Sequence, residues 1–231
     1  KLDNWKTCLF PLVFCLIAAS LIFIQPDFGT TVIYCMIIGI IFVTVPIAKS
    51  IKYKTILGAI GVVVGGVLAL MSVGKGVLLE RQMSRFDFSN PCEKILSTGS
   101  QVCNCYIAIN NGGLTGVGLG NSTQKYLYLP EPQNDFIFAV IAEELGFVGC
   151  VAVIILFAIF IWRGVVIAMK APDSFGSLVA IGITTLVAIQ AIINIAVVTS
   201  SIPNTGMPLP FFSYGGTALL ILLCSVGILL N

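Results

Sequence analysis

Three carboxylates stand where an apolar chain has least reason to keep them. Asp135, Glu143 and Glu144 lie in the run Pro130 to Gly149, PEPQNDFIFAVIAEELGFVG, which begins as a polar, proline-marked loop and becomes an apolar helix without a gap. A charged side chain at the centre of a bilayer helix costs about 3 kcal/mol or more, so such residues need a partner or a task. Asp135, at the junction, has two readings. It is a favoured residue for the helix N-cap, where it suits the positive end of the dipole. It is also a carboxylate at the membrane surface beside a large basic loop, the setting of a general base acting on a lipid-linked substrate. Glu143 lies eight residues further on, roughly 80° round the helix and ~12 Å deeper, and Glu144 falls on nearly the opposite face. One of the two can share a cavity with Asp135 while the other pairs elsewhere. For Glu144 the plain expectation is an interhelical hydrogen bond, and for Glu143 it is support of the site or packing. The chain has no histidine, which removes the commonest general base and transition-metal ligand.

Other residues could complete such a site. The turn QPDFGT, Gln25 to Thr30, carries Asp27, which a capped turn explains fully. The run IPNTGMPLPFFSYGGT, Ile202 to Thr217, holds Pro203, Pro208, Pro210 and Gly206, then a Ser213-Tyr214-Gly215-Gly216 turn into the last apolar segment. Irregular backbone at a membrane edge is tolerated where it is buried in protein or lines a wet cavity. This run is read as one wall of that cavity, with plain packing as the alternative. The basic residues Lys75, Arg81, Arg85, Lys94 and Lys125 form a solvated face or neutralise a diphosphate, for which Arg is the matched geometry. Arg81 and Arg85, four apart, face the same way on a helix.

The elements that must position these residues follow from composition. Of 231 residues 58% are hydrophobic and 10% charged, against about 25% charged in a soluble domain. The fold class is therefore an all-α integral membrane protein, a polytopic helical bundle. The formal net charge of +2 gives no basis for nucleic-acid binding. Apolar segments run over 8–24, 30–48, 55–73, 135–162, 176–200 and 214–230, each near the ~20 residues a helix needs to cross a bilayer. Lysines and arginines gather at 1–7, 49–54 and 163–175, while the short connections 25–30 and 200–216 have none. With six crossings these basic ends share one side, the cytoplasmic one, and the C-terminus returns there. The chain is read as one membrane domain, 1–231, with 74–134 as a large extracytoplasmic loop. Its short apolar stretches and its glycines from Asn110 to Gly120 predict an ordered, re-entrant or surface-lying loop. Five cysteines fall in apolar runs as small filler, whereas Cys92, Cys103 and Cys105 share the long loop, where a disulfide stays open. No CxxC pair points to zinc. The opening KLDNWK reads as a connector, so the chain is expected to be part of a longer protein.

These residues resemble a known family. The motifs Gln25-Pro26-Asp27-x-Gly29-Thr30, Gly112-Gly113-x-x-Gly116-x-Gly118-x-Gly120-Asn121-Ser122, Leu129-Pro130-Glu131, Asp135-Phe136-Ile137-Phe138-Ala139, Ala142-Glu143-Glu144-Leu145-Gly146 and the signature Pro203 to Thr217 are similar, in order and spacing, to the shape, elongation, division and sporulation (SEDS) family of FtsW, RodA and SpoVE. Gly120 to Glu131 looks closer to the FtsW branch. The resemblance implies a peptidoglycan glycosyltransferase of about ten membrane helices, of which this chain would hold the last six. It places the family's outer-loop aspartate at Asp135 and its supporting residues at Arg81 and Gln101. Gln133-Asn134 stands where the family often has His-Thr, and an upstream Glu and Lys pair has no counterpart here. The expected site is Asp135 as catalytic base, with Arg81, Gln101, Lys125, Glu143, Ser213 and Gly215 binding substrate.

The substrate implied is lipid II, a disaccharide peptide on undecaprenyl diphosphate. Asp135 would take the proton of an acceptor GlcNAc 4-hydroxyl as it attacks the donor's anomeric carbon, inverting an α-linked donor to a β-1,4 glycan. No second acid is needed, unlike glycoside hydrolysis. Positive charge for the leaving group would come from Arg81, another Arg or Lys, or a divalent cation, magnesium or manganese, the one cofactor left open. The resemblance also implies a class B penicillin-binding transpeptidase, other division proteins and membrane lipid as partners. The competing classes are a lipid II flippase, which needs no base at the outer surface, and a division scaffold whose acids are structural.

Overall fold

An apolar chain in lipid must satisfy its own backbone groups, and the helix does so locally. The computed structural model describes residues 5–24, 28–45, 52–54, 92, 99–127, 129, 131–202 and 204–231, and among these the regular structure is α-helical. The third apolar segment, 55–73, and Asp27, Lys75, Arg81, Arg85 and Lys94 lie outside the described residues. The chain divides into two units, Lys1–Asp87 and Phe88–Asn231. In the first, α1 (Trp5–Ile24) packs on α2 (Phe28–Thr44). The hydroxyls of Ser20 and Thr44 donate back to the carbonyls of Ile17 and Ile41, which hides both polar groups on apolar helices.

The second unit holds α3 (Gly99–Gly112), α4 (Gln124–Leu127), α5 (Ile137–Lys170), α6 (Ser174–Val198) and α7 (Gly216–Leu230). α5 packs along α6, and α3 leans on α5. Gly164 of α5 leaves the space that the Thr184 side chain of α6 enters. At 34 and 25 residues, α5 and α6 are long and apolar enough to cross a bilayer. With the composition, they make this a helical membrane protein.

α5 extends to Lys170, so Arg163, expected in a connection, is an exposed residue of the helix. Its long stem lets the charge reach water from a helical position. The connection shrinks to residues 171–173, and Asp173 caps α6 by accepting from the Gly176 amide at 2.9 Å. The long loop is ordered over α3 and α4, and a disulfide joins Cys92 to Cys103 within it. Cys105, two residues on, is a buried free thiol that burial pushes up to about 12.

α5 is two helices joined at a break. Gly146 has φ 67° and ψ −165°, a combination that is essentially glycine-only. The groups freed there are taken up by the glycine-rich loop after α3. The amides of Val117 and Gly118 donate to the carbonyls of Glu143 and Glu144, both at 3.0 Å. In return the amides of Phe147 and Val148 donate to the carbonyls of Gly113 and Leu114 at 2.9 and 3.2 Å. Gly112 and Gly116 are glycines because a Cβ at either would strike the α5 backbone, at Ala142 and Glu144. The core beside this splice joins Phe136, Phe138 and Ala139 of the α5 entry to Val187, Ala191 and Val198 of α6 and to Leu209 of the proline-rich loop.

Candidate active site

Asp135 precedes α5 and does not cap it. The N-cap is Phe136, at φ −110° and ψ 17°, and no side chain closes that helix end. Glu131, not Asp135, organises the preceding turn: its carboxylate accepts from the side-chain amides of Gln133 and Asn134, each at 3.1 Å, and its carbonyl from the Asn134 amide at 3.0 Å. The Asp135 carboxyl is half-buried, and among the described residues nothing hydrogen-bonds to it. Burial, and then the nearby Glu131 charge, raise its pKa above the ordinary aspartate value. Both effects disfavour the anion, which raises its basicity.

The proline-rich loop closes round this segment. Ser213 is the clasp: its hydroxyl donates to the Asn134 carbonyl at 2.6 Å and accepts from the Leu209 amide at 2.7 Å. The Tyr214 amide donates to the Gln133 carbonyl at 2.9 Å. Gly206, at φ +65°, brings its backbone alongside the carboxylate, so that a Cβ there would meet Asp135 Oδ2 at 3.4 Å. From α6, Asn194 donates to the carbonyls of Asp135 and Met207 at 2.8 and 2.7 Å. From α3, Gln101 Oε1 accepts from Asn204 at 2.9 Å, and the Asn204 side chain in turn accepts from the Gly206 amide at 3.0 Å. Phe211 and Phe212 pin the loop to α5 through Phe160 and Phe157, with ring centroids 5.8 and 6.0 Å apart.

Glu143 and Glu144 build a second cluster. Glu143, 1% exposed, receives Asn111 Nδ2 at 3.3 Å, the Thr123 hydroxyl at 3.0 Å, the Thr123 and Gln124 amides at 3.3 Å each, and the Ser122 hydroxyl. Its carboxylate thus sits at the start of α4 and gathers the loop before it. Glu144 pairs with Lys125 of α4 at 3.1 Å, and that bond raises the Lys125 pKa. The Lys125 ammonium also lies 5.0 Å from the Tyr126 ring centroid. Both glutamates engage the segment 111–125, whichever face of an unbroken helix they would occupy, because that segment is spliced into the break directly after them.

Of the expected residues, Asp135, Gln101 and Ser213 are therefore joined through the proline-rich loop, and Gly215 is the N-cap of α7 in extended backbone. Lys125 and Glu143 belong to the second cluster, and Arg81 lies outside the described residues. A cavity of about 230 Å³ opens between α6, α7 and the loop, lined by Leu186, Gln190, Pro208, Phe211, Ser213 and Tyr214 among others. It is mostly apolar, and the Asp135 carboxylate is not in its lining. Among the described residues no three Asp, Glu or Cys side chains converge to hold a metal ion. Asn194, Asn204 and Thr123 were not singled out by the sequence, and Ser122 was named only within the motif Gly112 to Ser122. The signal for Asn194 was a lone Asn in the apolar run of α6, and for Ser122 and Thr123 it was a capping residue ahead of a short helix.

The family model described as a cell cycle protein, covering FtsW, RodA and SpoVE, matches residues 1–231. The stage V sporulation protein E of Bacillus subtilis strain 168 is 46% identical over 93% of this chain and 56% of its own length. The probable peptidoglycan glycosyltransferase FtsW of the same organism is 46% identical over 96% of this chain and 55% of its own. The chain thus spans about half the length of the curated relatives it matches. Among solved structures, a peptidoglycan synthase complex that coordinates polymerization and crosslinking shares the fold, with TM-score 0.73 at 24% identity over 98% of this chain and 61% of the other. The rod shape determining protein RodA of Thermus thermophilus does so with TM-score 0.57 at 22% identity, over 96% and 55%. This chain belongs to the FtsW, RodA and SpoVE family.

Proposed function

We propose that this chain is the base-bearing part of a peptidoglycan glycosyltransferase that polymerises lipid II into β-1,4 glycan strands. The observation that carries the reading is the Asp135 carboxylate, which is neither a helix cap nor a hydrogen-bonded partner among the described residues, yet stands on backbone held by three bonds, to its own carbonyl and to those of Asn134 and Gln133. The FtsW relative in Bacillus subtilis bears the name of that activity. In the reaction the acceptor 4-hydroxyl gives its proton to Asp135 as its oxygen bonds to the donor's anomeric carbon. The bond from that carbon to the diphosphate breaks, and undecaprenyl diphosphate departs with the electron pair. Lys125 is already committed to Glu144; the charge that receives the diphosphate is assigned to Arg81, which the resemblance places at the site, to another Arg or Lys of the long loop, or to a divalent cation.

The proposed topology has six spans: α1, α2, residues 55–73, α5, α6 and α7. The loop 74–134 faces outward from the bacterial plasma membrane and the C-terminus faces the cytoplasm. The Cys92–Cys103 disulfide supports the outward placement, since disulfides persist on the oxidising side of a membrane. A class B penicillin-binding transpeptidase is the proposed partner alongside other division proteins, in keeping with the synthase complex of like fold.

The test is lipid II polymerisation by the full-length protein with its partner. A positioned base contributes ~10²–10⁴-fold in rate, so Asp135→Asn should lose about that much. Glycan synthesis at the wild-type rate with Asn at position 135 rejects the base, and lipid movement without glycan product identifies a flippase instead.

A further inference from the structure

Asn194 is the one Asn in the apolar sequence of α6 and is 1% exposed. A polar side chain kept at such a place for helix packing would bond within its own helix or to the next one. Asn194 does neither. Both bonds from its Nδ2 leave the helix for irregular backbone, one to the carbonyl of Asp135 and one to that of Met207, at 2.8 and 2.7 Å. An amide nitrogen has two donors, and both are spent here. Its Oδ1 is buried without a partner among the described residues, so the side chain serves through its donors. Met207 follows Gly206, whose backbone flanks Asp135 Oδ2. One side chain thus sets the spacing between the backbone that carries the carboxylate and the backbone that flanks it.

We infer that Asn194 is the positioning residue for Asp135, holding its main chain against the proline-rich loop so that the carboxylate meets the acceptor hydroxyl in line. The inference rests on Asp135 being the base. Displacement of a reacting group by about 1 Å costs about 10²-fold in rate, and the loss falls on kcat because donor and acceptor are bound by other residues.

The experiment is steady-state lipid II polymerisation by the full-length protein with its partner, as wild type, Asn194→Leu, Asn194→Ser and Asp135→Asn. Asn194→Leu keeps the volume and removes both donors; kcat should fall about 100-fold with KM for lipid II within about threefold of wild type. Asn194→Ser keeps one donor and should lie between the two. It also decides the matter should the Leu variant fail to fold. Wild-type kcat in Asn194→Ser and Asn194→Leu, with Asp135→Asn inactive, overturns the positioning role and leaves the base in place. A raised KM at unchanged kcat overturns it too, making Asn194 a residue of the binding pocket. An active Asp135→Asn, by contrast, sinks the base assignment itself.

Discussion

Asp135 holds a charge at an energetic disadvantage. Its pKa is raised, so folding is favoured by the protonated form: that contribution is present below the unfolded pKa and is lost as pH rises through the folded one. Asp135→Asn should therefore have a higher Tm than wild type at neutral pH, with the gap closing as the pH is lowered to where wild-type Asp135 is protonated. Thermal unfolding in detergent at a series of pH values measures it, and a variant less stable than wild type at neutral pH contradicts it. As the proposed base, Asp135 works only when unprotonated, so the rate should fall on acidification, with a limb above the ordinary aspartate range. Glu131→Gln removes the second cause of the shift and should move that limb to lower pH, as read from the pH profile of polymerisation. Glu143 is the opposite case, a carboxylate whose neighbours supply the donors it needs. Glu143→Ala strands two buried donors, the Ser122 hydroxyl and the Gln124 amide, and three part-buried ones from Asn111 and Thr123, and should destabilise the protein by about 3 kcal/mol. Asn194 was the least legible of these residues: an Asn among apolar neighbours announces a partner, but its two partners are main-chain carbonyls from loops that sequence spacing does not bring together.

At the scale of elements, the described helices were legible because long apolar runs leave no other spanning structure, and their ends were legible to within about four residues, except that α5 runs on to Lys170 rather than ending at 162. The break in α5 was not. In the sequence Gly146 stands out only as the last residue of the motif Ala142 to Gly146. Its role depends on a loop that joins the helix from outside, and the evidence for that loop lay in the spacing of Gly112, Gly113, Gly116 and Gly118, read in sequence only as order. Gly146→Ala tests the splice. An Ala at φ 67°, ψ −165° is strained by about 1–3 kcal/mol, and its Cβ would meet the backbone of Leu114 and Gly116, which cannot rotate aside. The expected outcome is a lower Tm with faster proteolysis at residues 113–120. An unaltered cleavage pattern would show that the loop does not depend on the break.

At the scale of the whole molecule, the relatives are about twice as long as this chain, and the proposed reaction belongs to the full protein. The topology can be tested on that protein. In intact cells, with the free thiols replaced, a membrane-impermeant maleimide should label Tyr126→Cys and leave Asp173→Cys untouched until the membrane is opened. Labelling of Asp173→Cys alone reverses the orientation, and labelling of both contradicts the crossing between them. The spliced break in α5 has a mechanical corollary. Four backbone hydrogen bonds tie the glycine-rich segment to α5, so a swing of that segment would have to break all four together. Residues 112–118 and 143–148 should accordingly travel as one piece, and under the proposed reaction any opening that admits the lipid-linked substrate must lie elsewhere.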